Sequence, residues 1–471
     1  MKVNALNELT IKHIKTATEK LIEETGFKVL DERLRQKAAK AGAVVDEQEQ
    51  TVKIPATLLR ELLSTVPMSY TICGIDGTEY VIGGGKQHIA AIVTDPWIID
   101  YKTQMPRRPS LNDVRTNTIL TQRNPKAAQV SRMDFPVSEY DDATSSLRAL
   151  EMHLLNHAKH YAVYAGSLDS FRQWMDIGNL IAPNGNLKGS RLMSVAVAIV
   201  SPLVLTDINA ELLLRATEND FPVIPTICPM TGTTSPYSKT ATLLQGNVEN
   251  IFLAAMTQLL NPGNPFLYLF GPSVSDMRTA QSLYYTVDKA LWKVAAAELA
   301  KSYMIPVASE CGGTLSQRYD MQSGAESMLF MTLAQNAGSD ILSGLGSCYN
   351  ANGLSSEMIV IQSAWLEAAE YLSRGIDLEL LEEGIHSIKE QGHGGNFLMD
   401  DLTLNLMHGD EFFSSDLFDT SGGYESAPSM LEKAHKKVEE LTADYVSPVP
   451  EKVQEELHRY FHDLYKKIIN N

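Results

Sequence analysis

Cysteine is scarce in this chain of 471 residues, and its four cysteines stand far apart. Cys73, Cys228, Cys311 and Cys348 form no C-x-x-C pair. Four scattered cysteines in a chain of this length suggest neither a disulfide framework nor a zinc knuckle. Separate thiols are typical of a protein in the reducing cytoplasm, which is the predicted location.

The chain also has no long hydrophobic segment and no excess of positive charge. The longest apolar stretch, residues 192–205, is interrupted by Ser201 and Pro202 and is too short to cross a bilayer. The first residues, MKVNALNELTIKH, lack the apolar core of a signal peptide. The formal net charge of -17 repels a phosphate backbone. We therefore expect a soluble protein that binds neither membranes nor nucleic acid.

The hydrophobic pattern that is present changes along the chain. Residues 5–65 show helical periodicity, and residues 69–101 alternate between apolar and polar with many glycines, which predicts β-hairpins. From about residue 128, short apolar runs alternate with helical patterns, and from about residue 412 the chain is polar and helical. The apolar runs predict strands at 130–135, 161–166, 193–200, 223–228, 266–270, 305–310 and 341–345.

This alternation of strands and helices predicts an α/β protein with a (β/α)8 TIM-type barrel. An eighth strand is expected near residues 396–398, or else the barrel is imperfect. An open doubly wound sheet is the alternative, and it is disfavoured because no G-x-G-x-x-G opens a helix. The predicted organisation is N-terminal helices and hairpins at 1–127, the catalytic barrel at 128–411 and a helical extension at 412–471.

In such a barrel the reacting groups lie at the C-terminal ends of the strands and in the loops that follow. The residues there are mostly small or neutral, without an H-x-H or a cluster of carboxylates, which weakens the case for a metal-dependent hydrolase. His153, His157 and His160 share one helix face, and a structural role is favoured over a metal site. The predicted strand-end set is Asp134, 166–167, 201–202, 229–231, 271–272, 310–313 and 347–349.

Three short segments carry a resemblance to a known family. Pro229-Met230-Thr231-Gly232, Asn247-Val248-Glu249 and Asn261-Pro262-Gly263 resemble the trimethylamine:corrinoid methyltransferase family. The similarity extends over nearly the whole chain, including residues 199–203. It implies an enzyme that transfers a methyl group from a methylated amine to the corrinoid (cobalamin) of a partner corrinoid protein.

The chain departs from that family in the loop after the sixth predicted strand. Residues 310–324 are similar to the segment that carries pyrrolysine in the trimethylamine enzyme, but here the equivalent position, within 316–319, holds a standard residue. A quaternary amine needs no activation by pyrrolysine, because its nitrogen departs as a neutral tertiary amine when the methyl group is transferred. The protein must then mainly position and desolvate the reactants. We expect the non-pyrrolysine branch, acting on a quaternary amine of the glycine betaine, proline betaine or carnitine type, with no catalytic side chain assigned.

A quaternary ammonium is bound by aromatic faces, because it carries no hydrogen-bond donor. For any single aromatic residue, packing in the core is an equally good interpretation. Tyr268 and Phe270 share one face of their strand, and Tyr349 follows another strand end. Arg318 could bind the carboxylate of a betaine, and Glu310 could face the ammonium group or bond to the glycines after it. The full set of predicted substrate contacts is Tyr268, Phe270, Tyr349, Glu310, Arg318, Tyr319 and Trp97.

A glycine-rich segment near the C-terminus resembles a family signature and implies contact with the corrinoid. Glycines let a backbone approach a flat macrocycle closely, although a tight turn that closes the barrel is an equally good interpretation. Many relatives have histidine where this chain has Asn396. The D-x-H-x-x-G motif of corrinoid proteins is missing, so the cofactor is expected on a partner and not permanently bound. The predicted cofactor contacts are His393, Gly394, Gly395, Asn396, Thr403 and His408.

Two other functions compete with the methyltransferase. A binding or sensing protein would use the same aromatic pocket for quaternary amines without turnover. A metal-dependent barrel hydrolase is the third possibility. The helical extensions also lead us to expect a homo-oligomer.

Overall fold

A closed barrel forms the centre of the molecule. The computed structural model describes residues 3–131, 133, 135–420 and 427–470, and within them eight parallel strands make one sheet. The bridge between Val223 and Phe266 joins the two outermost strands of that sheet and so closes the barrel. The (β/α)8 prediction is thereby confirmed. The strands are β1 His88–Ile92, β2 Ala127–Ser131, β3 His160–Val163, β4 Met193–Ala198, β5 Val223–Thr226, β6 Tyr268–Leu269, β7 Val307–Glu310 and β8 Ile341–Leu345.

The eighth strand is not where the sequence pattern placed it. The expected position, residues 396–398, is exposed and forms no strand in the part of the chain that the structure describes. The strand His88–Ile92 takes the place instead and pairs with both β2 and β8. This strand follows three glycines, Gly83 to Gly85, so its alternation of apolar and polar residues was interpreted as the second arm of a hairpin.

A helix follows each barrel strand and covers the outside of the sheet. Local signals set several of their ends: Ser110 and Asp113 form a capping box at the first of these helices, and Gly338 ends the seventh with a left-handed φ of 69°. The helices are α1 Leu111–Arg123, α2 Ser145–Leu154, α3 Leu168–Ile181, α4 Asp207–Glu218, α5 Lys239–Leu260, α6 Val287–Ser302, α7 Met321–Ala337 and α8 Ser356–Arg374.

The N-terminal segment closes the bottom of the barrel, which is the end where the strands begin. Tyr70, Ile72 and Ile82 lie on the antiparallel hairpin Ser69–Cys73 and Glu79–Gly83, and they pack against the lower side chains of the lumen. Before the hairpin come helices Glu8–Glu24, Glu32–Lys40 and Ala56–Leu63 with strands Phe27–Val29, Val44–Asp46 and Thr51–Lys53, which form a small sheet with Val204–Leu205.

Short strands surround the mouth, which is the end where the barrel strands finish. One group joins the loops after β1 and β8, and another joins those after β5 and β6. The first comprises Trp97–Ile99, Pro106–Arg107, Ser347–Cys348 and Gly353–Leu354; the second comprises Met230–Thr231, Ser273–Ser275 and Ser282–Leu283. Single 3₁₀ turns span Pro183–Gly185 and Tyr349–Ala351.

The C-terminal helices Met430–Thr442 and Glu451–Ile469 pack on the outside of the barrel. The first lies against α8 and α1, and the second lies against α2 and α3 through Leu457 and Phe461. Two further helices, Leu381–Gln391 and Asp401–Leu406, precede them. None of the helices within the described ranges is both long and apolar enough to cross a bilayer.

Candidate active site

Alternation along the barrel strands separates side chains that face the lumen from those that face the helices. Ala162, Ile224, Leu267, Ala308 and Ile341 pack together in the lower lumen. Two residues further along each strand lies the next layer, nearer the mouth. Its members include Tyr164, Thr226, Leu269, Glu310 and Ser343, and Glu310 is the one carboxylate among these five.

Glu310 at the end of β7 is held by three side chains. Its Oε1 accepts a hydrogen bond of 2.5 Å from the hydroxyl of Tyr284. Its Oε2 lies 2.9 Å from the ammonium groups of both Lys289 and Lys293. The side chain of Glu310 is 18% exposed, whereas each lysine is 3% exposed. Part of the Glu310 side chain is thus accessible, while its carboxylate is enclosed by Tyr284 and the two lysines.

The electrostatics of this cluster keep Glu310 ionised. Burial opposes its charge, but the attraction of Lys289 and Lys293 and the Tyr284 hydrogen bond outweigh burial, so the pKa of Glu310 lies well below its usual range. Burial lowers the pKa of Lys289 to about 7, against the opposing pull of Glu310. Burial and the Glu310 charge raise the pKa of Tyr284.

The two lysines come from α6, where a spacing of four residues puts them on one helix face. Lys293 also donates a hydrogen bond to the carbonyl oxygen of Phe270, which ties the helix to the end of β6. Lys289 lies 2.8 Å from the centre of the Tyr284 ring. Sequence reasoning missed both lysines, although two lysines four apart on an otherwise alanine-rich helix were a usable signal.

Aromatic side chains border the mouth on two sides. Tyr164, just beyond β3, is 36% exposed, and alternation from Ala162 assigns it to the lumen side of the strand. Across the barrel, Tyr284 and Tyr285 pack edge to face with their ring centres 5.1 Å apart. The Tyr285 ring lies where a Cβ of Gly313 would be, so glycine is required there. Sequence reasoning missed Tyr164, although alternation from Ala162 along the strand identifies it.

Neutral residues complete the rim of the barrel. Val200 beyond β4 is 50% exposed, and Cys228 beyond the neighbouring strand β5 is also exposed. A Cβ on Gly271 would lie 3.0 Å from both the Cys228 Sγ and the Tyr284 hydroxyl. The predicted strand-end residue Asp134 lies outside the described residues. The mouth thus combines a compensated carboxylate with neutral and aromatic surfaces.

Two of the predicted substrate contacts are placed away from the lumen. Tyr268 is fully buried, and its hydroxyl donates a 3.0 Å hydrogen bond to Asn247 on α5. Phe270 is also fully buried against α5, where its ring occupies the space that a side chain at Gly246 would fill. The prediction that they share a face agrees with the structure, but that face packs on a helix. Their expected contact with substrate is wrong, because protein encloses both rings.

The other predicted aromatics lie in the loops of the mouth. Trp97 lies beside Gly353 in a parallel strand pair, and its ring is covered by the guanidinium of Arg108 at 4.7 Å. Tyr349 packs close to Gly353. The Tyr319 hydroxyl lies 2.7 Å from the Ser355 Oγ and 3.1 Å from the Ile99 carbonyl oxygen, so it bridges two segments of the mouth.

Arg318 is exposed in the loop after β7, within the window equivalent to the pyrrolysine position. Its carbonyl oxygen accepts a hydrogen bond from Ser316, which also donates to Asp320 at the start of α7. The backbone of this window is therefore held, while the Arg318 side chain remains exposed. Arg318 stays a predicted contact for a substrate carboxylate.

The predicted cofactor contacts belong to a segment whose two ends attach near the bottom of the barrel. Residues 375–412, which we call the arm, follow the last turn of α8, where Glu370 pairs with Lys126 at the start of β2. The hydroxyl of Tyr371 holds the far end of the arm through the Glu411 carbonyl. The arm therefore leaves from the bottom of the barrel. Contact of His393, Gly394, Gly395, Asn396, Thr403 and His408 with a corrinoid stays a prediction.

The surroundings of the three histidines indicate a structural role. His153, His157 and His160 are fully buried, and His153 bonds to Thr118 while His160 bonds to Ser194. Burial lowers the pKa of His153 to about 3 and that of His160 to about 4. Nowhere in the described ranges do three metal-binding side chains come together.

Comparison with known proteins identifies sequence relatives over nearly the full length. The family model described as trimethylamine methyltransferase (MTTB) matches residues 1–467. A trimethylamine methyltransferase of Desulfitobacterium hafniense is 22% identical, covering 93% of this chain and 90% of that protein. A proline betaine:corrinoid methyltransferase of Eubacterium limosum is 23% identical, with 95% and 97% covered. A glycine betaine methyltransferase of Desulfitobacterium hafniense is also 23% identical, with 95% and 94% covered.

A solved structure shares the fold. The monomethylamine methyltransferase of Methanosarcina barkeri superposes with a TM-score of 0.50 over 97% of this chain and 92% of that chain, at 13% sequence identity. At this identity the similarity concerns the fold alone.

Proposed function

The chain belongs to the trimethylamine methyltransferase family, and from this we propose that it moves a methyl group from a quaternary amine to the Co(I) corrinoid of a partner corrinoid protein, releasing the tertiary amine. The observation that carries the proposal is the chemistry of the mouth. Its aromatic and neutral surfaces surround a carboxylate whose charge is already compensated by two lysines.

A compensated carboxylate suits a substrate that brings its own negative charge. If Glu310 were unpaired, a simple cation would be attracted strongly to the lumen. With Lys289 and Lys293 behind it, the cluster carries no net negative charge. A betaine, which is a zwitterion, can then bind through its ammonium to aromatic rings and through its carboxylate to Arg318 or the lysine side of the cluster.

Tyr164 is the aromatic side chain best placed to bind the ammonium group. It faces the lumen and is partly exposed, whereas Tyr268 and Phe270 are enclosed by protein. A quaternary ammonium over a desolvated aromatic face gains about 2 kcal/mol. Tyr284 lies across the barrel, where its hydroxyl donates to Glu310.

The chemistry of the methyl acceptor comes from the corrinoid, which supplies a strongly nucleophilic reduced metal when bound. The residues of this chain orient the substrate methyl towards the mouth and exclude water from it. The neutral rim at Val200, Cys228 and Gly271 is compatible with a cofactor that is borrowed from a partner. No proton transfer is required when a quaternary amine loses a methyl group.

The substrate type follows from the same reasoning and from the names of the relatives. Glycine betaine, proline betaine and carnitine all carry a carboxylate with a quaternary nitrogen. The loop at 316–319 holds only standard residues, which supports a substrate that needs no pyrrolysine. We propose this betaine class for the chain.

The test is to incubate the purified protein anaerobically with a reduced corrinoid and each of glycine betaine, proline betaine, carnitine, choline and trimethylamine. We expect the absorbance of the Co(I) corrinoid to fall with at least one betaine and the demethylated amine to appear by mass spectrometry. Consumption of trimethylamine alone would refute the proposal. Tight betaine binding without product would instead indicate a binding protein.

A variant pair tests the role of Tyr164. Tyr164→Phe keeps the aromatic face and should retain most activity, whereas Tyr164→Ala should raise the betaine KM by roughly tenfold or more, since the lost interaction is of order 1–2 kcal/mol. Steady-state kinetics on both variants measure this difference. Equal KM values for the two variants would remove Tyr164 from the binding site.

A further inference from the structure

The 3₁₀ turn Tyr349–Ala351, in the loop after β8, has a left-handed backbone. Tyr349, Asn350 and Ala351 have φ angles of 52°, 53° and 62°. This conformation is unfavourable for residues with a Cβ, although asparagine tolerates it better than tyrosine or alanine does. Three such residues in a row persist only where surrounding contacts hold them, and strained backbone is concentrated at functional sites. The contacts of this turn therefore indicate its role.

Asn350, at the centre of the turn, joins three loops of the mouth. Its side-chain Oδ1 accepts a 2.8 Å hydrogen bond from the backbone N–H of Tyr284, and its Nδ2 donates a 2.9 Å bond to the carbonyl oxygen of Ser282. Its own backbone N–H donates to the carbonyl oxygen of Thr314 at 2.9 Å. Ser282 and Tyr284 belong to the loop after β6, and Thr314 belongs to the loop after β7. Asn350 therefore connects the loops after β6, β7 and β8.

The two side-chain bonds require a group that both accepts and donates. Tyr284 presents a backbone donor, and Ser282 presents a backbone acceptor. The amide of Asn350 meets one with its oxygen and the other with its nitrogen, whereas an aspartate lacks the donor and a glycine lacks both groups. These bonds give a reason for asparagine at this position that is independent of the backbone angle.

The turn is linked to the charged cluster through Tyr284. Asn350 holds the backbone of Tyr284, and the Tyr284 hydroxyl donates to Glu310. Ala351 packs in the same apolar cluster as Tyr284 and Tyr285. Because Tyr284 encloses one side of the Glu310 carboxylate, displacement of Tyr284 would open that charge to the lumen.

We infer that Asn350 is a positioning residue, which fixes Tyr284 against Glu310 and so sets the preference of the site for a zwitterion over a simple cation. The inference rests on the proposed function, because it concerns the charge that a betaine meets at the mouth. With the Asn350 side chain removed, Tyr284 is released, and the opened carboxylate attracts a cation more strongly.

Steady-state kinetics of Asn350→Gly test the effect on substrate preference. Glycine accepts the left-handed backbone and keeps the N–H that binds Thr314, so the variant removes the two side-chain bonds alone. We expect the ratio of kcat/KM for glycine betaine over choline to fall by roughly tenfold, as loss of one hydrogen bond to a charged group implies. A general loss of packing would instead lower kcat/KM for both substrates alike.

Asp220→Gly is the matched control. Asp220 also has a left-handed φ, of 61°, and its side chain accepts a hydrogen bond from Asn261. It lies between α4 and the start of β5, at the bottom of the barrel. This variant should leave the kinetic ratio unchanged.

A double variant shows whether Asn350 acts through Tyr284. Tyr284→Phe removes the hydroxyl that binds Glu310 and should lower the same ratio. Addition of Asn350→Gly to Tyr284→Phe should then cause little further change, since both substitutions break one chain of contacts. Effects that multiply in the double variant would overturn the inference.

Thiol labelling tests the placement of Tyr284 without turnover. Cys228 is exposed, whereas the other three cysteines are buried or half-buried. A Cβ at Gly271 would lie 3.0 Å from both the Cys228 Sγ and the Tyr284 hydroxyl, so these two groups are neighbours. Release of Tyr284 in Asn350→Gly should raise the rate of Cys228 alkylation by iodoacetamide severalfold, measured by mass spectrometry of the labelled peptide. Asp220→Gly should keep the wild-type rate.

The two measurements separate failure of the inference from failure of the proposed function. An unchanged labelling rate or an unchanged kinetic ratio in Asn350→Gly, with its fold verified by circular dichroism, would overturn the inference. Asn350→Ser, which also removes the amide, is the second variant should Asn350→Gly fail to fold, and the same changes are expected. Absence of betaine turnover in the wild type would refute the proposed function, and the labelling rate would still decide whether Asn350 holds Tyr284.

Discussion

Glu310 and its two lysines decide the charge of the barrel mouth. A carboxylate at a strand end attracts any cation, but here Lys289 and Lys293 lie 2.9 Å from its Oε2. Burial holds the pKa of Lys289 near 7, so this lysine exchanges its proton close to neutral pH. The countercharge is therefore the adjustable part of the cluster, while Glu310 stays ionised.

Substitution of Lys289 should change substrate preference. In Lys289→Met, one of the two countercharges of Glu310 is lost. The kcat/KM for choline, a cation without a carboxylate, should therefore rise relative to that for glycine betaine. We expect the ratio of kcat/KM for betaine over choline to fall by roughly tenfold, as removal of one nearby charge implies. Lys239→Met on the neighbouring helix removes an exposed lysine and is the control. An unchanged ratio in Lys289→Met would contradict the role of the cluster.

At the level of elements, the order of strands and helices could be predicted from the sequence. Which face of each strand points into the lumen could not. Seven barrel strands were recognisable as apolar runs with helical patterns between them. The first strand, His88–Ile92, was not, because it follows a glycine turn and its pattern matched the second arm of a hairpin. Which face of β6 meets the lumen depends on the space that Gly246 leaves for Phe270, and this is a tertiary contact.

Part of the site could not be predicted from the sequence for the same reason, because it depends on tertiary contacts. Glu310 was predicted at a strand end, but its partners Lys289 and Lys293 come from a helix whose inward face is visible only in the fold. The glycine-rich segment at His393 was read as a cofactor contact. The segment that carries it leaves from the bottom of the barrel because of the direction of α8, which no local pattern encodes.

Two glycines within helices give opposite predictions. Gly246→Ala places a Cβ 2.0 Å from the Phe270 ring, so it should lower the free energy of unfolding by about 1–3 kcal/mol through overpacking. Gly384→Ala meets no atom within 4 Å and should be neutral or stabilising by up to about 1 kcal/mol. Urea denaturation of both variants measures the difference. Equal midpoints would show that the α5–β6 layer adjusts freely.

At the scale of the whole molecule, buried histidines link stability to pH. Burial lowers the pKa of His153, His157 and His160 in the folded protein below the ordinary value of 6.5. Between pH 6.5 and about 4 the unfolded chain therefore binds more protons than the folded chain. By linkage, stability is complete above pH 6.5 and is lost as the pH falls through this window.

Urea unfolding at several pH values between 7.5 and 4.5 tests this expectation. The free energy of unfolding should fall steadily below pH 6.5, and His153→Phe should reduce the slope because one group no longer titrates in the unfolded chain. The exposed His393 provides the control, since His393→Phe should leave the slope unchanged. A flat profile in the wild type would contradict the pKa shifts.

The arm and the mouth occupy opposite ends of one barrel, and this separation has a practical consequence. Tethering the protein to a solid support by its underside should therefore leave turnover intact.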